Sequence, residues 1–447
     1  MSTLFSQGVI MSLNVSKVSQ IVLALSAVAI VSGCQDAVAP IATDAPSRDV
    51  PGVLGSKGSK AEREFVKDQY IVVFRDGYND VDARTQTLIG KTKGKVKNKY
   101  KAGIRGFAAN ITAYEAGVLA NDPSVAYIEQ DQYVTLGVGR PGSGADGGTT
   151  TGKGGKGGKT TTAPPATGVV TQTAPPSWGL DRVDQSALPL SNTYTYNATG
   201  SGVNAYIIDS GIRITHAEFG GRATADFSVI ADGNGALDCN WHGTHVAGIV
   251  GGQTTGVAKA VKLHSVRVLD CMASGTVSGL IAGLDWVTAN RVLPAVANVS
   301  VVTGSSLAVT DAVNSAVASG VTVVVAAGNN ADDACTTSPA NAPNALTVGA
   351  STSLDAQASF SNYGICVDIM APGENVTSSF YSNDIDLMPA SGTSMSSPHV
   401  AGAAALYLQN NPAAAPASVT QAIVGGATAG RLTGLGFGTQ NLLLKVQ

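Results

Sequence analysis

A chain of 447 residues is longer than one ordinary domain needs, so two folded units joined by linkers are expected. Hydrophobic residues make up 44% and charged residues 13%, which suits a soluble protein with a large core and excludes a chain without one. The net charge of −3 divides unevenly, with 19 Lys+Arg against 14 Asp+Glu before Trp178 and 9 against 17 from Trp178 onward; the two halves either dock on each other or present solvated charged faces.

Residues 1–34 read as an export signal. Lys17 is followed by "IVLALSAVAIV" and "SGC", an apolar run too short to span a bilayer and closed by small residues. Met11 is an alternative start, because residues 1–10 add no positive charge. The tail "VSGC" resembles a bacterial lipobox with Cys34 as the lipidated residue; plain signal cleavage is the alternative. Residues 35–60, rich in Ala, Gly, Ser and Pro, read as a linker.

From Ala61 the composition changes. "DQYIVVFRDG" predicts a strand and a turn, "GFAANIT" a second strand, "TAYEAGVLANDPSV" a helix ending at Asp122-Pro123, and "VAYIEQDQYVT" a last strand. Residues 61–136 thus form a small α+β unit. Its lysine run "GKTKGKVKNKYK" reads as a solvated face, without the interleaved aromatics that would suggest nucleic acid. Residues 137–176, rich in Gly, Thr and Pro, cannot build a core and read as a flexible linker.

The second unit, 177–447, alternates. "VNAYIID", "VKLHSVRVL", "AVANVSVV" and "VTVVVAAG" read as strands, separated by helices at "HGTHVAGIVGG", "TVSGLIAGLDWVTANR" and "AVTDAVNSAVASG". Strands apolar on both faces that alternate with helices predict an α/β fold, a parallel sheet covered on both sides. In such sheets sites form at the carboxyl ends of the strands.

Four of the five cysteines, Cys239, Cys271, Cys335 and Cys366, lie in this second unit, and export favours disulfides among them. Three pairings are possible; neighbour pairing closes two loops of similar length. Zinc finds no support, since no CxxC or HxxxH spacing occurs.

The strand-end rule selects particular residues. Asp209 closes "AYIID", though an Asp there also serves simply to cap a loop. In "NWHGTHVAG", His242 and His245 stand at a helix start, where the dipole disfavours an imidazolium. They suit a metal by spacing, but no acidic or cysteine partner follows; one as a general base and the other structural is the alternative. Asn329 ends "VVVAAGNN", as a turn residue or as an amide donor. In "SGTSMSSPHVAG", Ser394 lies on the first turn of a buried helix, where its N–H and the Asn329 amide face the crevice and suit a developing oxyanion. Pro398 fits that first turn, and Thr393, Ser396 and Ser397 read as caps and local hydrogen-bonders. A serine nucleophile needs a base and the base a carboxylate, and the chain supplies Asp209, His242 and Ser394 in the order found in subtilisin.

"YIIDSGI", "HGTHVAG", "AAGNN" and "GTSMSSPHVAG" resemble the motifs of subtilisin-like serine proteases, and "WGLDRVDQ", "GVAKAVKLHSVRVLDC" and "ASFSNYG" are similar to the proteinase K and aqualysin branch. "YIVVF", "GFAANIT" and "DPSVAYIEQD" resemble the inhibitory propeptide of that family. The resemblance implies a subtilisin-like parallel sheet preceded by a ferredoxin-like propeptide domain, and a monomeric endopeptidase secreted as a self-inhibited zymogen. It implies Ser394 as nucleophile, His242 as base, Asp209 as its orienter and Asn329 as oxyanion donor, and leaves His245 structural. Peptide substrates are expected to add as a strand between Ser274-Gly275-Thr276 and Ser300-Val301-Val302, with a side pocket reaching Ala326 and Gly328. The branch's cysteine pattern implies neighbour pairing. It implies structural Ca²⁺ at Pro343, Ala345 and Asp368, and at Asp181, Asp184, Gln185, Ser191 and Thr193; plain capping by Asp181 and Asp184 is the alternative. One segment departs: where the family reads Ser-Leu-Gly-Gly, this chain has Ser300-Val301-Val302-Thr303, and the two β-branched residues predict a narrower pocket. A dead protease kept as a binding module would lack a triad member, and none is missing. A serine esterase would carry GxSxG, which "GTSMS" is not.

Overall fold

The structure, a computed structural model, describes residues 53–54, 65–136 and 168–446. The export signal with Cys34 and most of both linkers lie outside the described residues. Among the described residues no helix is long and apolar enough to cross a membrane.

The large unit is built on a nine-stranded sheet. Its strand order is Thr428–Ala429, Leu442–Leu443, Ile369–Pro372, Leu346–Ser351, Val321–Ala326, Ala295–Val299, Asn204–Asp209, Lys262–Arg267 and Ala223–Ser228. All neighbours run parallel except the first pair. Successive side chains of a strand face opposite ways. Ala205 and Ile207 therefore join a core under the helices His242–Gly251 and Thr393–Asn410, while Tyr206 and Ile208 join one under Val277–Asn290 and Leu307–Ala318. The register pairs Val299 with both Ile208 and Val325, so three adjacent strands end at one level and open one crevice. Disulfides join Cys239 to Cys271 and Cys335 to Cys366.

The small unit is an antiparallel sheet of Val125–Val134, Phe65–Phe74, Gly106–Asn110 and Lys95–Tyr100, with the helices Val81–Ile89 and Ala113–Ala120 on one face. The second helix begins with a capping box of Thr112 and Glu115. Period-two alternation gives the sheet two apolar faces. Tyr70, Val72 and Phe74 pack on its own helices, whereas Ile71, Val73 and Tyr100 belong to the core of Val277–Asn290 and Leu307–Ala318. The small unit is thus docked on two helices of the large one.

Three boundaries differ from the sequence reading. Val170–Thr173, inside the segment read as a linker, is a strand paired with Thr193–Tyr196. Val53–Leu54, inside the first linker, pairs with Val125–Val134. The lysine run contains the strand Lys95–Tyr100; it is an edge strand in which only Tyr100 is fully buried, so its outward lysines mask the alternation.

Candidate active site

Asp209 is the last residue of its strand and is fully buried. Two glycines then let the turn behind it lie against the first turn of His242–Gly251. Gly211 has φ +114°, and a Cβ on Gly243 would stand 2.1 Å from the Gly211 carbonyl oxygen. This approach brings His242 Nδ1 to 2.8 and 2.9 Å from the two Asp209 carboxylate oxygens. Nδ1–H donates to the carboxylate, which leaves Nε2 as the acceptor. That Nε2 is buried and has no partner among the described residues.

His245 is separate from this pair. Its Nε2 donates to the Met388 carbonyl at 2.9 Å, and burial pushes its pKa down to about 3. It stays neutral and cannot trade places with His242. Asp238 was not singled out by sequence reasoning. Its carboxylate accepts from the N–H of Asn240 at 2.9 Å and of Thr244 at 3.0 Å, and from the Ser210 hydroxyl at 3.0 Å. It thereby fastens the start of the His242 helix to the turn behind Asp209.

Ser394 is the second residue of Thr393–Asn410 and is 1% exposed. Its hydroxyl donates to the Ser300 carbonyl at 3.1 Å rather than to His242. Asn329 follows the strand Val321–Ala326, and its Oδ1 accepts from the N–H (2.7 Å) and hydroxyl (3.0 Å) of Thr393. The amide is thereby turned so that Nδ2 is the free donor. Thr393 also accepts from Gly328 N–H at 3.1 Å, which ties the Ala326–Gly328 segment to the helix. Pro398 lies in the second turn of that helix, not the first as the sequence suggested.

The two expected substrate-binding edges face each other, and the small unit runs between them. Val134 pairs with Gly275 and Tyr133 with Thr276, both antiparallel. On the other side Thr135 N–H donates to Val302 O at 3.3 Å and Val302 N–H to Thr135 O at 3.2 Å. Counting along this ladder, a chain residue two beyond the Thr135 position faces Ser300, to whose carbonyl the Ser394 hydroxyl points. Ser274 is held in a turn by Asp270, and Val301 is buried beneath the edge. Thr303 is 7% exposed, and its hydroxyl reaches the Tyr133 carbonyl at 3.3 Å.

Two carboxylates of the small unit meet helix starts of the large one. Asp131 accepts from Ser278 N–H at 2.9 Å at the start of Val277–Asn290, and Glu129 from Ala308 N–H at 3.2 Å at the start of Leu307–Ala318. Burial raises both carboxyls, outweighing the lowering effect of these donors. Conversely, Asp285 accepts from three successive N–H groups, those of Lys101, Ala102 and Gly103.

One expected calcium cluster is assembled in a single loop. Asp181 Oδ1 accepts from Ser191 N–H and Oγ at 2.9 Å, Gln185 Oε1 from Ser191 N–H at 3.2 Å, and Ser191 and Thr193 hydroxyls stand 2.7 Å apart. Asp184 takes Thr195 N–H on Oδ2 and keeps a buried Oδ1 without a partner among the described residues, and burial raises its carboxyl. An orphaned carboxylate oxygen among oxygen donors fits a hard cation. At the other cluster Asp368 is largely buried, accepts from Thr347 N–H at 2.7 Å, and is likewise raised by burial; Ala345 is buried and Pro343 exposed.

Comparison with known proteins matches residues 200–439 to the subtilase family and residues 69–137 to the peptidase inhibitor I9 family. The chain is 47% identical over 365 residues to an extracellular serine proteinase of Thermus sp. (strain Rt41A), covering 81% of each chain. It is 42% identical over 404 residues to alkaline serine exoprotease A of Vibrio alginolyticus, covering 88% of this chain and 70% of that one. Among solved structures, a cold-adapted subtilisin-like serine proteinase aligns with a TM-score of 0.59 at 48% identity, covering 60% of this chain and 98% of the other. The chain belongs to the subtilase family of serine proteases, proteinase K-like in type, and carries an inhibitor I9 propeptide ahead of its peptidase domain.

Proposed function

We propose that the protein is a secreted, calcium-stabilised serine endopeptidase made as a zymogen, with its own propeptide as the inhibitor. The observation that carries this reading is the strand Tyr133–Thr135, laddered between Gly275–Thr276 and Val302 in front of Ser394. Extended backbone paired on both sides explains tolerance of many side chains, because backbone hydrogen bonds supply much of the binding.

In the reaction the Ser394 hydroxyl leaves the Ser300 carbonyl and turns to His242 Nε2, which takes its proton as Oγ attacks the peptide carbonyl. Asp209 holds the imidazole tautomer and balances the imidazolium. The oxyanion receives hydrogen bonds from Ser394 N–H and Asn329 Nδ2. His242 passes its proton to the leaving amine, and water then attacks the acyl-enzyme with the same base. The Val302-Thr303 wall favours a small side chain in the residue before the cut.

Asp181, Asp184, Gln185, Ser191 and Thr193 hold one Ca²⁺, and Asp368 with the Pro343 and Ala345 carbonyls a second. Bound there, the cation supplies fixed positive charge that ties surface loops to the fold. A lipid on Cys34 anchors only the precursor, because cleavage behind Leu136 separates the peptidase domain from it.

Incubating purified protein with casein, with and without a serine-directed inhibitor, tests the reading. Inhibitor-sensitive release of peptides is expected; casein left intact, or hydrolysis indifferent to the inhibitor, overturns it.

A further inference from the structure

Trp241, the residue directly before His242, has φ +145° and ψ −30°. A bulky side chain rarely adopts a positive φ, because its Cβ crowds the backbone; only glycine visits this region freely. Such a residue persists where its surroundings over-determine it. Here Trp241 N–H donates to Asp238 at 3.2 Å, its carbonyl accepts from His245 N–H at 3.1 Å, and Cys239 is fixed by its disulfide two residues earlier.

The strained backbone places the indole in a particular spot. It stands edge-on to His242 at 5.3 Å and to His245 at 6.0 Å, and lies tilted by 30° against Phe380 at 6.1 Å. Phe380 in turn meets Tyr381 edge-on at 5.3 Å. These rings form one wall of a groove of about 790 Å³ whose lining includes Leu136, Met272 and Met388. Leu136 follows the laddered Thr135, so on the register above it holds the place of the second substrate residue ahead of the cut. The groove offers far more room than a leucine side chain fills.

The geometry points to Trp241 as a specificity-determining residue: with Phe380 and Tyr381 it forms an aromatic subsite beside His242 that selects peptides carrying an aromatic side chain at the Leu136 position. This inference rests on the peptidase reading. An aromatic substrate ring entering the groove meets offset or edge-on partners and loses apolar surface to them. Ala at the same position meets neither.

The test is a peptide series on the mature enzyme that varies only the second residue ahead of the cut. Wild type is expected to cleave the Phe peptide about tenfold or more better in kcat/KM than the Ala peptide. In Trp241→Gly, where the backbone strain is relieved and the indole removed, that ratio is expected to fall below about threefold; Trp241→Phe, which keeps a ring, is expected to retain most of it. A merely structural tryptophan would lower both peptides alike, so an unchanged Phe/Ala ratio in Trp241→Gly overturns the inference, as does a wild-type ratio at or below one. A wild type that cleaves no peptide of the series and matches Ser394→Ala overturns the peptidase reading itself, and the inference with it.

Discussion

The Ser300 hydroxyl donates to the carbonyl oxygen of Ser394 across 3.2 Å. That oxygen is the one Pro398 leaves without a helical donor, since proline has no N–H to return to the residue four before it. Ser300 also meets Ser397 Oγ at 2.9 Å and accepts from Asn298 Nδ2 at 2.7 Å, so a residue of the substrate edge holds the nucleophile's own turn in place. Ser300→Ala leaves a buried acceptor unpaired. We expect a loss of about 1–3 kcal/mol in stability to denaturant together with a lower kcat. Unchanged values of both would show that the bond does nothing.

Asn329→Ala removes a donor from the proposed oxyanion site without touching the nucleophile or base. The scale seen on removing such a donor from a subtilisin, about 10²–10³ in kcat, is carried over here as the expectation. KM should change little. A variant with full kcat would remove Asn329 from the mechanism.

How far the sequence reaches is clear from these residues. Asp209, His242, Asn329 and Ser394 were legible because each stands at a strand end or helix start marked by periodic apolar runs. Asp238 was not, since capping from outside a helix leaves no mark at a fixed spacing, and the Thr393 hydroxyl, read as a cap, instead reaches across the crevice to Gly328 and Asn329. The conformation of Trp241 was equally hidden: nothing in "CNWHG" announces a positive φ. The helix Val81–Ile89 and strand Lys95–Tyr100 carry too few apolar residues to stand out, because each packs through only part of its surface. The docking carboxylates Glu129 and Asp131 carry no mark in the strand that holds them, because their buried partners are helix starts distant in sequence, at Ala308 and Ser278.

Those carboxylates give propeptide binding a pH dependence of definite sign. Both are raised by burial in the docked state, so docking favours their protonated forms. Their contribution is full below the ordinary carboxylate range, about pH 4, and is lost as pH rises through the raised values. Calorimetric titration of a separate propeptide into the Ser394→Ala peptidase domain should show affinity falling from acid to neutral pH. Glu129→Gln with Asp131→Asn should flatten that trend. Affinity that climbs with pH would contradict the assignment.

Calcium should raise Tm, because a ligand that binds only the folded state stabilises by mass action, about 2.7 kcal/mol at a hundredfold excess over Kd. Asp184→Asn removes the charge beside the orphaned Oδ1 and should shrink the gain. If a chelator leaves Tm and the autolysis rate of wild type unaltered, the loop around Asp181 and Asp184 is not a calcium site.

In the proposed mechanism Ser394 cuts its own chain, whose propeptide lies in the active-site cleft. The most direct measurement follows purified precursor over time by gel and N-terminal sequencing, wild type beside Ser394→Ala, with no other protease present. Wild type is expected to convert to a shorter form whose new N-terminus lies beyond residue 137, while Ser394→Ala stays at full length and inert toward casein. Maturation of purified Ser394→Ala at the wild-type rate would contradict this mechanism.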